Sequence, residues 1–253
     1  MNIVVCLKQV PRDNSVAITA QKSIDASGIE MITNLFDEYA LEAALHINES
    51  LSGAVTVLSL GQDDWVDQIR RALAMGATDA LLINSDAEYD VYTAATILAA
   101  ATKRTESPQL VVCGRNATDD DSAAMAPMLA RILGWSHVTY VSRIVAASET
   151  ELELERKLED EQEIVRIKLP AVISVAKGDT EPRHPPLLRV RKFAKAEIPT
   201  LAVSDVVATL PHQPQLVDRV PPAARKSGEI IEGADVASKV ATLVDRLIAD
   251  QAL

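Results

Sequence analysis

Apolar and polar positions fall into blocks along this chain, and the period of the blocks marks the elements. Asn2 to Leu7 is continuously apolar, as a central strand of a parallel sheet should be. Lys8-Gln9-Val10-Pro11 breaks that run. Residues 12 to 35 read as irregular or weakly hairpin-like, with a turn at Asp25 to Gly28. A helix is predicted from about Glu38 to Asn48, with Leu41, Ala44, Leu45 and Ile47 on its apolar face and Asn34 and Asp37 as candidate caps. Ala54 to Leu60 is a second strand, ended by Gly61. The next helix opens on Asp63 and Asp64, carries Val66, Ile69 and Leu73 on one face and closes at Gly76. Ala80 to Ile83 is a third strand. Residues 90 to 103 form an alanine-rich helix, with Val91, Ala94, Ala95 and Leu98 turned inward to pack closely on a sheet.

The stretch from Pro108 to Trp135 is the fourth such unit. Leu110 to Cys113 is a buried strand, Gly114 is a sharp exit, and Arg115 to Asp121 is a polar loop. A helix then shows Met125, Met128, Leu129 and Ile132 on one face and stops at Gly134. Strand and helix repeated in this way predict an α/β fold: an open, mostly parallel sheet with helices on both faces. The period then switches to two. Glu151 to Lys157 and Glu163 to Lys168 alternate about the acidic turn Glu159-Asp160-Glu161, which predicts an added antiparallel hairpin with one solvated face. Ala171 to Val175 is a short strand able to rejoin the sheet.

From Lys177 the periodicity is lost, and prolines at 182, 185, 186, 199, 211, 214, 221 and 222 keep the chain extended. A last helix, Asp235 to Ile248, has Val236, Val240, Leu243, Val244 and Leu247 on one stripe. A structureless run this long is out of place inside a compact domain. Two placements follow: an extended C-terminal arm packed on another chain, or a helix folded back on its own sheet. The expected organisation is an α/β domain over residues 1–195 and a linker with its helical arm over 196–253.

Composition narrows the function. Of the 253 residues 48% are hydrophobic, enough for a sizeable core, and only 3% are aromatic, so that core is aliphatic and platforms for stacking bases are scarce. A formal charge of -11 argues against general binding to nucleic acid or anionic membranes. No apolar run reaches the roughly 18 residues of a membrane helix. The N-terminus enters a strand directly and does not read as a signal peptide. The cysteines Cys6 and Cys113 both lie in strand-like runs and read as buried thiols of a reducing compartment, which gives a cytoplasmic location as the expectation. One local basic stretch stands out, Arg183, Arg189, Arg191, Lys192 and Lys195 interleaved with Leu187, Leu188, Val190 and Phe193. It is either a surface steering an acidic partner or ordinary loop charge.

Candidate chemistry centres on the fourth unit. A strand feeding a loop and a helix N-terminus is where open α/β sheets bind ligands, and the unpaired amides of a first helical turn suit a phosphate. Here the phosphate would sit on the amides of residues 122 to 125, with adenine against the strand ends near Cys6 and Leu60. The run Asp119-Asp120-Asp121 is a poor metal site, because adjacent side chains diverge and no histidine is near in sequence. One of these aspartates reads as a helix cap and another as a ribose ligand or a loop-ordering group. No G-x-G-x-x-G, P-loop, G-x-S-x-G or H-E-x-x-H motif occurs, and His46, His137, His184 and His212 are scattered. No nucleophile and base come together, so the chain reads as a nucleotide-binding module without covalent chemistry of its own. A stand-alone adenine-nucleotide-binding stress-type protein is the competing class; such proteins are shorter and glycine-richer at the phosphate loop.

Several stretches together resemble the beta subunit of electron transfer flavoproteins: VVCLKQVP, NLFDEYALEAAL, RRALAMGATDALLI, VVCGRNATDDDSAAMAPMLARILGW, and VRIKLPAVISV with the EPR that follows. The resemblance covers about residues 1 to 195. It implies a heterodimer with an alpha subunit that holds most of the FAD, a structural AMP in the beta subunit, and electrons passing from acyl-CoA or related dehydrogenases to a quinone oxidoreductase, as in fatty acid oxidation. By motif it places AMP contacts at Cys6, Asn34, Leu35, Phe36, Asp37, Leu60, Gly114, Arg115, Asn116, Ala117, Thr118, Asp119, Asp120, Asp121, Ser122, Ala123, Ala124 and Met125. Phe36 would also approach the flavin. Leu187 matches the anchor of a partner-recognition loop, with Arg189, Arg191 and Lys192 beside it. Ala123-Ala124-Met125 replaces a more polar run in many members and leaves the backbone amides as phosphate donors. Asp13 stands where some members carry an aromatic near the flavin. A bifurcating subgroup binds a second FAD instead of AMP and has a glycine within its aspartate run; the unbroken run here favours AMP.

Overall fold

The computed structural model describes residues 1–13, 16–178, 180–220 and 228–252, so the expectation for prolines 221 and 222 lies outside the described residues. Its strands are β1 (Ile3–Leu7), β2 (Gln9–Pro11), β3 (Ala17–Ile18), β4 (Ile24–Asp25), β5 (Met31–Thr33), β6 (Val55–Gly61), β7 (Asp79–Asn84), β8 (Leu110–Gly114), β9 (Ser136–Ala147), β10 (Glu151–Lys157), β11 (Gln162–Lys168), β12 (Ala171–Val175) and β13 (Thr200–Ala202). Its helices are α1 (Leu35–Ser50), α2 (Val66–Met75), α3 (Val91–Thr102), α4 (Met125–Leu133), α5 (Leu187–Phe193), α6 (Val203–Val206) and α7 (Val236–Ala249).

A nine-stranded sheet runs β11-β10-β9-β12-β8-β1-β6-β7-β13. All its neighbours are parallel except β10-β11, which is the expected hairpin, and β9-β10. β1 lies inside the sheet and is buried on both faces. Ile3, Val5 and Leu7 join a core cluster with α1 and α2, while Val4 and Cys6 join a second cluster with α3 and α4. That two-sided burial is why β1 reads as a continuous apolar run. The chain builds outward from β1 to β6 and β7, and α3 then carries it back to β8 on the other side of β1. The ends of β1 and β8 therefore border a topological switch point, the place where open α/β sheets hold ligands.

Four features depart from the sequence reading. Residues 12 to 35 hold a defined excursion, with β2 paired to β5 and a small hairpin β3-β4 whose turn closes at Thr19 and Ser23. β9 was not expected. Its alternation is scrambled by a bulge: Ile173 and Val175 of β12 face Val138 and Val141, and Tyr140 takes φ 61° inside the extra residue's loop. The basic stretch is not irregular, because Leu187–Phe193 is helix α5. Thr200–Ala202, assigned to the linker, adds a last strand beside β7. The two placements offered for the last helix are separated as well: α7 has no buried residue, and Val236, Val240, Leu243, Val244 and Ile248 are all exposed. Its apolar stripe is thus not folded back on the sheet. Among the described residues no helix is long and apolar enough to cross a membrane.

Candidate functional site

The switch point is bordered by the start of α1, which begins at Leu35 rather than Glu38. Asn34 occupies its N-cap position but makes no side-chain cap bond. Its amide spans to the loop after β8 instead: Nδ2 donates to the Asn116 carbonyl at 2.9 Å, and Oδ1 accepts the Thr118 amide at 3.2 Å. Asp37 is likewise not a cap. Its carboxylate accepts the Lys8 amide at 2.8 Å and the Gly114 amide at 3.1 Å, tying the ends of β1 and β8 to the start of α1. Burial pushes the Asp37 pKa up to about 7, against the Lys8 and Gly114 amides and Asn34, which lower it. Gly114 is required by this closeness, since a Cβ there would lie 2.3 Å from Asp37 Oδ1.

The aspartate run is held by its neighbours. Lys8 Nζ lies 2.7 Å from Asp119 and 3.5 Å from Asp120. Asp120 Oδ1 accepts the Ser122 amide at 3.0 Å, and Asp121 accepts from Asn116 Nδ2. Asp121 and Ala123 take φ 50° and 52°, turning the chain into α4. Helix α4 opens at Ala124 without a side-chain cap and ends at Gly134 in the left-handed region, φ 72°. The Ser122 amide is therefore already bonded, and the donors left for an anion shift to Ala123 through Ala126; Pro127 has no N–H to offer. With Lys8 balancing Asp119 and Asp120, a phosphate at these amides would not face an uncompensated carboxylate pair. The residues present fit a nucleotide phosphate.

Cys6 and Leu60 lie at the neighbouring ends of β1 and β6. Both Cys6 and Cys113 are buried free thiols, and the Cys6 thiol beside it together with burial pushes Cys113 up. Leu35 is exposed and Phe36 half-buried at the mouth, where the Arg115 guanidinium sits 4.7 Å from the Phe36 ring and 5.9 Å from the Tyr140 ring. Lys8 and Tyr140 were missed in the sequence. Lys8 had one legible signal, a cation directly after a buried strand in a chain with a downstream acidic run; Tyr140 had none, because its strand was unread. A cavity of about 200 Å³ lies elsewhere, along α1 between Tyr39, Glu42 and His46 and Ser142 and Arg143 of β9.

A family model for the electron transfer flavoprotein domain matches residues 22–206. The electron transfer flavoprotein subunit beta of Thermoanaerobacterium thermosaccharolyticum is 35% identical over 98% of this chain and 98% of its own length. This chain belongs to the electron transfer flavoprotein family, among its beta subunits. The subunit beta of Megasphaera elsdenii is 32% identical over 91% of both chains, and Protein FixA of Azorhizobium caulinodans 31% over 81% of this chain and 76% of its own. As a beta subunit the protein is part of an electron carrier that works with nucleotide-type cofactors, and it has no catalytic role of its own.

The basic stretch of this beta subunit differs from expectation. Leu187 and Leu188 are 65% and 79% exposed, and Arg191 and Lys192 are exposed at the end of α5. Two of the basic residues are turned inward. Arg183 pairs with buried Glu42 through Nη2 at 2.7 Å and with Glu49 at 2.8 Å. Burial raises the Glu42 pKa, but the Arg183 contacts outweigh it and hold it below the usual carboxylate range. Arg189 donates to the carbonyls of Leu73 and Ala74 on α2.

Proposed function

We propose that this beta subunit holds a structural AMP at the β1–β8 switch point and serves as scaffold and docking surface for a heterodimeric electron transfer flavoprotein. The observation that carries the reading is the convergence of Asn34, Asp37 and Lys8 on the loop from Gly114 to Asp121, beside the open amides at the start of α4. Gly114 to Met125 would cradle the phosphate, Cys6 and Leu60 would back the adenine, and Asn34 to Asp37 would close the third side. FAD, held mainly by the alpha subunit, supplies the redox chemistry, with Phe36 and Arg115 at the mouth nearest it. Electrons would come from an acyl-CoA or related dehydrogenase caught at Leu187, with Arg191 and Lys192 steering its acidic surface, and would leave to a quinone oxidoreductase in the cytoplasm. The exposed stripe of α7 fits an arm that packs on the alpha subunit.

Co-expression with an alpha subunit, release of bound cofactors and their identification by mass test this. One FAD and one AMP per heterodimer is the expected result. Two FAD would replace AMP by a second flavin at this site, and FAD without any second nucleotide would refute the site.

A further inference from the structure

Helix α5 is only seven residues long, has no side-chain cap at Pro186 and buries none of its residues. A helix so short does not persist on its own in water, so its position is set by what holds it. The holding group is Arg189. Its Nε donates to the Ala74 carbonyl at 2.9 Å and its Nη2 to the Leu73 carbonyl at 2.7 Å. These are among the last carbonyls of α2, which have no partner within their helix; the Ala72 carbonyl is already taken by the amides of Gly76 and Ala77. The guanidinium also lies 5.3 Å from the Phe193 ring, and Phe193 packs on the first core cluster. A second arginine runs the other way. Arg70 of α2 donates from Nε to the Ala196 carbonyl just beyond α5, at 3.0 Å, while Asp67 holds its Nη1 at 2.8 Å. Arg189 follows Leu187 by two positions, about 200° around the helix, so one side chain anchors inward while the other projects outward.

We infer that Arg189 is a positioning residue: clamped to the C-terminal carbonyls of α2, it fixes α5 so that Leu187 is presented to the partner dehydrogenase, and it does not itself meet that partner. Arg70 completes the clamp from the opposite side. This role rests on the reading of Leu187 as the docking side chain. A lysine at 189 carries the charge but not the planar fork that reaches two carbonyls at once.

The test uses the intact heterodimer with Leu187→Ala, Arg189→Ala, Arg189→Lys and the Leu187→Ala/Arg189→Ala pair. Amide hydrogen exchange of residues 187–193 reads the clamp, and electron transfer from an acyl-CoA dehydrogenase, varied as substrate at two salt concentrations, reads docking. Arg189→Ala should speed exchange of the helix by on the order of tenfold, and Leu187→Ala should leave it unchanged. Both should raise KM for the dehydrogenase with kcat and FAD content unaltered. The double variant should be no worse than Leu187→Ala, and Arg189→Lys should recover little of either readout. Unchanged exchange in Arg189→Ala, or a salt-dependent KM effect that adds to that of Leu187→Ala, would overturn the inference and make Arg189 a direct contact. If Leu187→Ala leaves KM unchanged, or the wild type takes no electrons from the dehydrogenase, the docking reading fails, and the positioning role with it, whatever the exchange shows.

Discussion

Replacing Asp37 by asparagine isolates the electrostatic cost of the group that joins β1, β8 and α1. The carboxyl is buried and its pKa moves from 3.8 to about 7 on folding. The folded state therefore holds the proton more tightly than the unfolded chain. The stability linked to this group is fully present below the unfolded value and is lost as pH rises to the folded one. A shift of about 3 units corresponds to about 4 kcal/mol over the whole range, of which more than half falls between pH 5 and pH 8. Asparagine keeps the shape and one acceptor but does not titrate. Its other amide position presents a donor to a backbone N–H, so Asp37→Asn is also expected to loosen the hold on Lys8 or Gly114. Urea denaturation of the heterodimer at fixed concentration, at pH 5 and pH 8, separates the two effects. The stability of wild type relative to Asp37→Asn should fall by roughly 3 kcal/mol on going from pH 5 to pH 8. A difference independent of pH would refute the burial argument. A difference that grows with pH would show that the two amide donors outweigh desolvation and depress the folded pKa.

Gly114→Ala should push a Cβ to 2.3 Å from Asp37 Oδ1 and 2.8 Å from the Phe36 carbonyl carbon, costing about 1–3 kcal/mol and reducing the nucleotide retained on purification; full nucleotide content with unchanged melting would contradict it. Arg183→Ala leaves Glu42 buried without its counter-charge and should destabilise by about 3 kcal/mol, with partial recovery in the Arg183→Ala/Glu42→Gln pair, both read by chemical denaturation. Deleting Val236–Ala249 removes a stripe left exposed among the described residues, so co-purification with the alpha subunit should weaken while the melting of the sheet domain stays the same. Undiminished co-purification would place the arm elsewhere.

Local pattern carried much of this fold. β1 and β8 were legible because strands buried on both faces leave no polar position, β6 because only Thr56 and Ser59 interrupt its apolar run, and α4 because its apolar residues recur at helical spacing up to Gly134. The turn after β8 was legible for the same reason: a helix start after a parallel strand is a local feature. Where local pattern was weak, tertiary contacts decided. The bulge at Tyr140 hid β9, the three residues of β13 are too few to show a period, and α5 exists through its hold on α2.

Sequence by itself determined the central strands and their helices, the polar loop between β8 and α4, and the apolar stripe on the last helix. It could not determine what Asn34, Asp37 and Arg189 do. Asn34 and Asp37 pass as helix-cap residues beside their own helix, yet they bond to groups 82 and 77 residues away. Arg189 passes as surface charge, yet it closes the end of a helix 115 residues earlier in the chain. A hydrogen bond is set by distances of about 3 Å, and only the folded chain brings such remote amides, carbonyls and side chains within that reach.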